Sequence, residues 1–348
     1  MRPVRSAALL AVGLLIFGGA LASRAVAETV PPTDIRVNLF GACFANPNVG
    51  WVVGDLGRVF RTDDGGKSWT RQEPSGRKPY FSVTCADETH VWVASTQGTI
   101  YASTDGGTTW KEQKTPVDRN FLQVRFANQN RGTAVGDFGQ IVHTEDGGAT
   151  WTQVHLPEDF KLPDSALDMG IAPDDALLYG LNYLDADHAW VCGEFGTILA
   201  TDDGGKTWRQ QQSGVESTLF GISFTTPQHG VAVGIDSTIL MTEDGGATWN
   251  PVRSPFQELS YYDVGFSDGI GWIVGSRGTL LSSKDDGKTW TAFPTPIQFA
   301  SEWFRGLSLS GTTGYIVGGA GLLYKTEGDQ ATLLGGPTAD KRVVEHGG

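Results

Sequence analysis

An eight-residue segment that ends in tryptophan recurs six times along this chain of 348 residues. It follows the pattern Ser/Thr-x-Asp-x-Gly-x-Ser/Thr-Trp, and its closing tryptophans are separated by 41, 41, 57, 41 and 41 residues. A period of 41 with one insertion of 16 residues explains all five separations. Such a period predicts a repeat architecture in which every copy forms the same structural unit. The six copies, called the boxes below, are Thr62–Trp69, Ser103–Trp110, Thr144–Trp151, Thr201–Trp208, Thr242–Trp249 and Ser283–Trp290.

A second recurring segment precedes every box and consists of two runs of β-branched residues around a glycine-containing turn. A seventh copy, from Gly314, leads into a degenerate box at Thr326–Leu333, which lacks the Asp-x-Gly core and the tryptophan. Terminal repeats are often atypical in this way. The other six copies begin at Gly50, Val91, Gly132, Ala189, Gly230 and Gly271.

Each repeat reads as four short strands: an aromatic-rich run, the two β-branched runs, and the segment that starts at the box tryptophan. Tight turns with glycine require antiparallel neighbours. Leucine-rich repeats need a shorter period, and helical repeats need apolar residues at helical spacing. The sequence therefore predicts an all-β fold, a seven-bladed β-propeller with four antiparallel strands per blade.

Composition supports a turn-rich chain and excludes some functions. The 47 glycines argue against a helical bundle, because each interior glycine costs a helix about 1 kcal/mol relative to alanine. Aromatic residues at 10% are enough to anchor a core. Nucleic-acid binding is not expected, because 26 basic residues against 39 acidic ones leave a net charge of −13.

The first 27 residues have the three-part layout of a secretory signal peptide. Arg2 and Arg5 precede the apolar run Ala7–Ala22, and Ala25–Ala27 supplies small residues before cleavage. The 16-residue run is shorter than the roughly 20 residues needed to span a bilayer. Cleavage removes three arginines, so 23 basic minus 39 acidic residues give −16. We predict an exported protein, periplasmic or extracellular, whose mature chain has no membrane span.

Residues 28–335 are predicted to form the propeller, with the insertion around residues 156–176 and a disordered tail at 336–348. Closure of the ring has two alternatives. Either Thr332–Leu334 completes the seventh blade, or residues near Thr29–Val37 pair with it.

The boxes resemble the Asp box, or BNR repeat, of sialidases and related propellers. Together with the segment GWVVGDLG at Gly50 and its copies, they resemble the photosystem II stability/assembly factor family over about residues 35–335. This resemblance implies an exported seven-bladed propeller that takes part in photosynthesis as a non-enzymatic assembly factor without a cofactor. It implies, as partner, a precursor segment of a membrane protein, on the lumenal side of a photosynthetic membrane where the organism has one.

The aspartates of the boxes are interpreted as structural. Each lies where an Asx-type turn accepts backbone N–H groups, and the tryptophan is expected in the seam between blades. A calcium array is not favoured, because one carboxylate per blade leaves the carboxylates too far apart to share a cation. No metal site is predicted, since the six histidines lack ligand spacing. The six aspartates are Asp64, Asp105, Asp146, Asp203, Asp244 and Asp285.

A partner-binding surface is expected on the face that carries the Gly-x-x-Gly turns and the connections between blades. The acidic insertion falls on the same face, and long insertions often mark binding. The hypothesis is that this acidic face meets a basic protein segment; the alternative is that Asp simply favours such turns. Arginines lie scattered among the carboxylates, with Arg125 as a further candidate, which departs from the basic surface associated with the family. The candidate residues are Asp55, Arg58, Asp137, Glu194, Asp236, Arg277 and Arg305.

A glycoside hydrolase or a carbohydrate-binding propeller is the alternative function. Glycosidases need two carboxylates about 5–10 Å apart, which the turn carboxylates are able to supply. Aromatic residues such as Tyr262 and Trp303 are candidates for stacking on sugars. The sialidase Arg-Ile-Pro motif is absent from the sequence, and no catalytic residue is predicted.

Three cysteines cannot all pair within the chain. Cys43 and Cys85 lie on the first strands of adjacent blades but one register step apart, so a disulfide between them is not favoured. Cys192 occupies a core β position and is expected to be an inert buried thiol.

Overall fold

A computed structural model describes residues 29–74, 77–295 and 302–336. The predicted signal peptide, residues 1–27, lies outside the described residues, as do residues 337–348 of the predicted disordered tail.

Seven antiparallel sheets succeed one another along the described chain, each built from strands that are consecutive in sequence. The first three blades contain β1 Thr29–Val30, β2 Leu39–Phe44, β3 Gly50–Gly54, β4 Arg58–Thr62 and β5 Trp69–Gln72; β6 Ser82–Cys85, β7 Val91–Ala94, β8 Thr99–Ser103 and β9 Lys111–Lys114; β10 Phe121–Phe126, β11 Gly132–Gly136, β12 Ile141–Thr144 and β13 Thr152–Val154. The fourth and fifth contain β14 Leu178–Tyr183, β15 Ala189–Gly193, β16 Thr197–Thr201 and β17 Arg209–Gln212; β18 Leu219–Phe224, β19 Gly230–Gly234, β20 Ile239–Thr242 and β21 Asn250–Pro251. The sixth and seventh contain β22 Tyr261–Ser267, β23 Ile270–Gly275, β24 Leu280–Ser283 and β25 Thr291–Ala292; β26 Phe304–Ser310, β27 Thr313–Gly318, β28 Leu323–Glu327 and β29 Gln330–Gly335.

Helical turns are short and lie in connections. Helix α1 is Asp164–Asp168 in the insertion, and none of the helices in the described residues is long and apolar enough to cross a membrane. The 3₁₀ turns are Pro32–Asp34, Asp55–Gly57, Asp137–Gly139, Pro173–Asp175, Glu194–Gly196 and Gly319–Gly321.

The ring closes without strand exchange between blades. Strand β29 completes the seventh blade, which is the first of the two closure alternatives, whereas β1 adds a fifth strand to the first blade. The seven inner strands contact one another in order, and β26 contacts β2. Ile35, in the segment that leads into β2, is buried with Leu323 and Tyr315 of the last blade. This segment therefore bridges the first and last blades.

Strand direction defines two faces of the ring. In each blade the first and third strands run from one end of the propeller to the other, and the second and fourth strands run in the opposite direction. The boxes, between third and fourth strands, lie on what we call the box face. The turns between second and third strands lie on the opposite face with the connections between blades, and we call this the mouth face. This distribution agrees with the sequence prediction.

Aromatic trios fill the seams between blades. Trp92 of the second blade stacks on Phe126 of the third at 3.7 Å, and the box residue Trp151 packs edge-on against Phe126 at 5.9 Å. The same trio recurs as Trp190, Phe224 and Trp249, and as Tyr315, Phe44 and Trp69. A methyl group at Gly132 would lie 2.6 Å from the Phe126 ring. Glycine is therefore needed at position 132 so that the Phe126 side chain can lie flat against the strand.

Cys43 and Cys85 form a disulfide, so the sequence expectation that they do not pair is wrong. Their Cα atoms are 5.9 Å apart. The inner strands of adjacent blades are staggered by one residue. In three other seams the side chain equivalent to Cys43 accepts a hydrogen bond from the backbone N–H of its neighbour: Thr84 from Phe126, Asn182 from Phe224, and Ser308 from Phe44. The disulfide is the covalent form of this contact.

Cys192 is buried and free, as the sequence predicts. Burial in the seam beside the fifth blade raises the pKa of its thiol above the usual range. A thiol that stays protonated is a poor nucleophile, which agrees with a packing role.

Each box is closed by its aspartate. The Asp146 carboxylate accepts hydrogen bonds from the Thr150 N–H at 2.8 Å, the Thr150 hydroxyl at 2.6 Å and the Thr144 hydroxyl at 2.8 Å. The Thr144 hydroxyl in turn accepts from the N–H of Gly148. The equivalent network is present in the other five boxes. The carboxylates therefore have a structural role that needs no cation.

Replacing Asp146 by alanine is expected to lower the free energy of unfolding by about 2 kcal/mol, because three hydrogen bonds to a carboxylate are lost. The hydrogen bonds from Thr150 lower the pKa of Asp146. Its contribution is therefore present above its unfolded pKa of about 3.9 and disappears as the pH falls through the lower folded value. Urea unfolding of both proteins from pH 7 to pH 2 measures this. Lost partner binding with unchanged stability would contradict the structural role.

Candidate functional site

On the mouth face, each blade has one residue at the tip of the turn between its second and third strands, which we call its turn tip. All seven turn tips have a left-handed backbone conformation, with φ between 53° and 58°. Side chains other than glycine rarely adopt this conformation, and backbone strain of this kind clusters at functional sites. The tips carry side chains of several kinds, large apolar ones among them. They are Leu56, Gln97, Phe138, Phe195, Asp236, Arg277 and Ala320.

Exposed large apolar side chains concentrate on this same face. Leu56 is 58% exposed and Phe138 is 43% exposed, each at a turn tip. Met169, in the insertion, is 64% exposed. Every such residue in the described chain lies in a turn or connection of the mouth face; the five are Leu56, Phe138, Leu167, Met169 and Phe256. Exposed apolar groups gathered on one face are typical of a protein-interaction surface.

A ring of large side chains surrounds the mouth of the central channel. It is formed by the second residue of each inner strand or its equivalent: Phe40, Phe81, Leu122, Tyr179, Phe220, Tyr262 and Arg305. The rings pack against one another, with centroids 4.9 Å apart for Tyr179 and Phe220 and 5.5 Å apart for Phe220 and Tyr262. Trp303 stacks on Phe40 at 5.9 Å. Burial and the charge of Glu194 raise the pKa of Tyr179 to about 12, so its hydroxyl is neutral at physiological pH.

Three of the predicted turn carboxylates hold the connection that enters the inner strand of their own blade. Asp55 accepts from the Asn38 side chain at 2.8 Å, and Asp137 from the Asn120 side chain at 2.7 Å. Glu194 accepts from the backbone N–H of Leu177 at 3.0 Å. These carboxylates therefore shape the turns, whatever else they bind.

Asp236 occupies a different place in its turn from these three. It is the tip residue of its blade, with φ of 55°, and so is equivalent to Leu56 rather than to Asp55. The sequence shows the same difference, since Asp55 is the sixth residue of its copy and Asp236 the seventh. Asp236 is exposed on the mouth face.

The three predicted arginines are dispersed. Arg58 lies 3.9 Å from Glu73 at the start of β4, and Arg277 is a turn tip. Arg305 lies in the channel mouth, where its guanidinium is 6.0 Å from the ring centroids of both Phe40 and Tyr262. Of these three, only Arg305 therefore lies in the channel, where Arg125, the further candidate, lies as well.

The insertion folds back onto the mouth face between the third and fourth blades. The N–H of Gly139 donates to the Ala176 carbonyl at 2.8 Å, and Ser165 donates to Glu216 at 2.7 Å. Phe160, Leu162 and Ala166 are buried against the fourth blade. Asp174 and Asp175 of the insertion lie beside the turn Asp137–Gly139 on this face, whereas Glu158 lines a surface pocket together with the box residues Glu145 and Lys206. Its other acidic residues are Asp159, Asp164 and Asp168.

Below the mouth, the channel has a volume of about 260 Å³ and is lined by the inner strands. Its charged lining residues are Arg125, Asp263 and Arg305. Asp263 accepts hydrogen bonds from the backbone N–H of Val264 at 2.9 Å and of Leu307 at 3.1 Å. Burial raises the pKa of Asp263 to about 6. The described residues contain no group of three or more His, Cys, Asp or Glu arranged to hold a metal ion.

Comparison with sequence families gives one match. The family described as Photosynthesis system II assembly factor YCF48 matches residues 76–169 and 207–332, more than half of the chain. No curated protein matches the chain.

Similar solved structures show the same fold at low sequence identity. A YCF48 structure described as bound to D1 peptide has a TM-score of 0.69 at 18% identity, over 86% of this chain and 96% of that one. YCF48 from Cyanidioschyzon merolae has a TM-score of 0.68 at 22% identity, over 88% of this chain and 100% of that one. The GH74 xyloglucanase from Xanthomonas campestris has a TM-score of 0.66 at 13% identity, over 87% of this chain but 54% of that one.

Proposed function

The chain belongs to the photosynthesis system II assembly factor YCF48 family, and on this premise we propose that it is a non-enzymatic assembly factor whose mouth face binds a segment of a partner protein. The observation that carries the proposal is the placement of the exposed large apolar side chains, which in the described part of the chain all lie in turns or connections of the mouth face. A related propeller has been solved with a peptide, which supports a polypeptide as the class of partner.

Two properties of the face fit a polypeptide better than a sugar. Its exposed side chains are aliphatic as well as aromatic, with Leu56 and Met169 the most exposed of the large apolar residues. The aromatic rings of the mouth meet at different angles, 66° for Tyr179 and Phe220 but 9° for Phe40 and Trp303, and so do not form one flat platform. Apolar anchors within a polar rim are the usual anatomy of a protein interface.

Export is part of the proposal. The signal-peptide pattern of residues 1–27 and the Cys43–Cys85 disulfide support an oxidising compartment, such as the periplasm, because disulfides are rare in the cytosol. The partner segment would then belong to another exported protein, or to the part of a membrane protein that faces this compartment.

Affinity capture tests the proposal. The tagged mature chain is incubated with detergent-solubilised membranes and the exported fraction of its native organism, and bound proteins are identified by mass spectrometry. We expect one predominant protein partner, captured in proportion to the bait. Release of reducing sugar from polysaccharides, with Asp55→Asn and Glu194→Asn variants inactive, would instead establish a glycosidase and overturn the proposal.

A further inference from the structure

The channel of this acidic protein is positively charged. Arg125 and Arg305 line it, Asp263 is the one acidic residue of its lining, and the sum is +1, whereas the whole chain carries −13. Low-dielectric walls around a net charge strengthen the field inside a cleft. An anion is therefore favoured within the channel although the rest of the molecule repels it.

Neither guanidinium group forms a salt bridge with a described residue, although the charge of Asp263 acts on both. Within the described residues, no Asp or Glu oxygen comes within 4 Å of Arg125 or Arg305. Arg125 donates to neutral oxygens, namely the Ser82 hydroxyl and the carbonyls of residues 83 and 124. Burial lowers the pKa of both groups. Buried charges are normally paired, so the one positive charge that Asp263 leaves uncompensated in this cavity calls for an anionic ligand.

Asp263 offsets only part of this positive charge, because it is a single carboxylate facing two guanidinium groups. One oxygen accepts from the N–H of Val264 and the other from the N–H of Leu307 in the next blade. Asp263 thereby joins the sixth and seventh blades, in the same way as Ser82 accepts from the N–H of Val124. Asp263 is thus a structural residue of the channel wall, and both guanidinium groups keep their positive charge.

The two cations lie at different depths. Arg305 is the second residue of its inner strand and Arg125 the fifth, so three positions of about 3.3 Å separate them by about 10 Å along the channel. Arg305 is held at the mouth between Phe40 and Tyr262. A narrow extended chain end or a long side chain fits this path, whereas a folded domain does not.

We propose that the channel receives a carboxylate of the partner polypeptide, either its C-terminal group or an acidic side chain, which Arg305 meets at the mouth and Arg125 deeper inside. This inference rests on the proposed function, since it names the chemistry by which the mouth face recognises its partner. The apolar turn tips would contact the rest of the segment. The carboxylate supplies the one negative charge that the channel lacks.

Short peptides test the channel without the natural partner. The probes are acetyl-Gly-Gly-Ala with a free C-terminus, the same peptide as its amide, and acetyl-Gly-Asp-Ala amide, each titrated calorimetrically into the mature protein at low salt. We expect the free acid to bind at least about tenfold more tightly than its amide, because charged hydrogen bonds are worth more than neutral ones. Equal binding of acid and amide, or no binding of any probe, would overturn the proposal. If the aspartyl amide matches the free acid, the channel recognises acidic side chains as well.

Three variants identify the residues responsible. Arg305→Gln and Arg125→Gln are each expected to weaken binding of the free acid by about tenfold, with no effect on the amide. Asp263→Asn is expected to strengthen it, because the repelling charge is removed, and a gain cannot result from unfolding. Arg253→Gln, an exposed cation in a connection outside the channel, is the matched control. Unchanged binding in Arg305→Gln would contradict the assignment. If the peptide titrations fail but affinity capture still identifies a protein partner, the carboxylate proposal is wrong and the proposed function stands.

Discussion

Replacing Leu56, Phe138 and Met169 together by glutamate is expected to reduce partner affinity by about a hundredfold or more and to leave the melting temperature unchanged. Few residues of an interface carry most of its energy, and each apolar anchor lost costs more than about 1 kcal/mol. A charge in its place must also lose its water when the partner binds. The three side chains are exposed, so their replacement removes no core contact. Titration of the captured partner against both proteins measures the effect.

A matched triple variant on the opposite face controls for the added charge. Thr104→Glu, Ala149→Glu and Ala247→Glu lie at exposed positions of three boxes. The first reproduces what other boxes already contain, since Glu145 and Glu243 occupy the equivalent position. Undiminished binding is expected. If both triple variants lose the partner equally, net charge rather than the mouth face controls binding.

Loss of the Cys43–Cys85 disulfide is expected to destabilise the fold by about 4 kcal/mol, because the bond closes a loop of 42 residues and restricts the unfolded chain. The double variant Cys43→Ser, Cys85→Ser unfolded in urea under oxidising conditions measures this loss. Partner binding is expected to persist, since neither residue belongs to the turn tips.

A reducing agent provides the control for the disulfide. It is expected to lower the stability of the wild-type protein to that of the double variant and to leave the variant unchanged. Alkylation of the denatured, unreduced wild type is expected to modify Cys192 alone. Modification of all three cysteines, or no response of the wild type to the reducing agent, would contradict the disulfide.

The architecture was predictable because the same sequence pattern recurs in almost every blade. The spacing of Trp69 and its equivalents determines the number of blades, and tight glycine turns determine strand direction. Closure was not decided by the sequence, because it depends on which chain end reaches the last sheet. The disulfide prediction failed for a related reason. Pairing Cys43 with Cys85 requires the one-residue stagger of adjacent inner strands, which follows from packing of the ring and not from either blade alone.

The sequence predicted which face of the propeller carries the candidate site, but not which of its residues form that site. The turns and the insertion indicated the correct end of the propeller as a place to seek a partner, but attention to their carboxylates missed the exposed Leu56 and Phe138. The sequence left open whether Asp55 and Asp137 simply shape their turns, and their hydrogen bonds with Asn38 and Asn120 support that alternative. Arg305 and Arg125 were candidates in the sequence, but as members of a scattered set of arginines and not as residues of one channel. Their meeting in one channel depends on closure of the ring, since they come from the seventh and third blades.

Site-specific photo-cross-linking tests the central claim, that the mouth face binds a polypeptide. A benzoylphenylalanine is placed at Phe138 on the mouth face or at Ala149 on the box face, and each protein is irradiated with the captured partner. Position 138 is expected to give a covalent adduct that contains a peptide of the partner, and position 149 none. Adducts from position 149 alone, or in equal yield from both positions, would contradict the account.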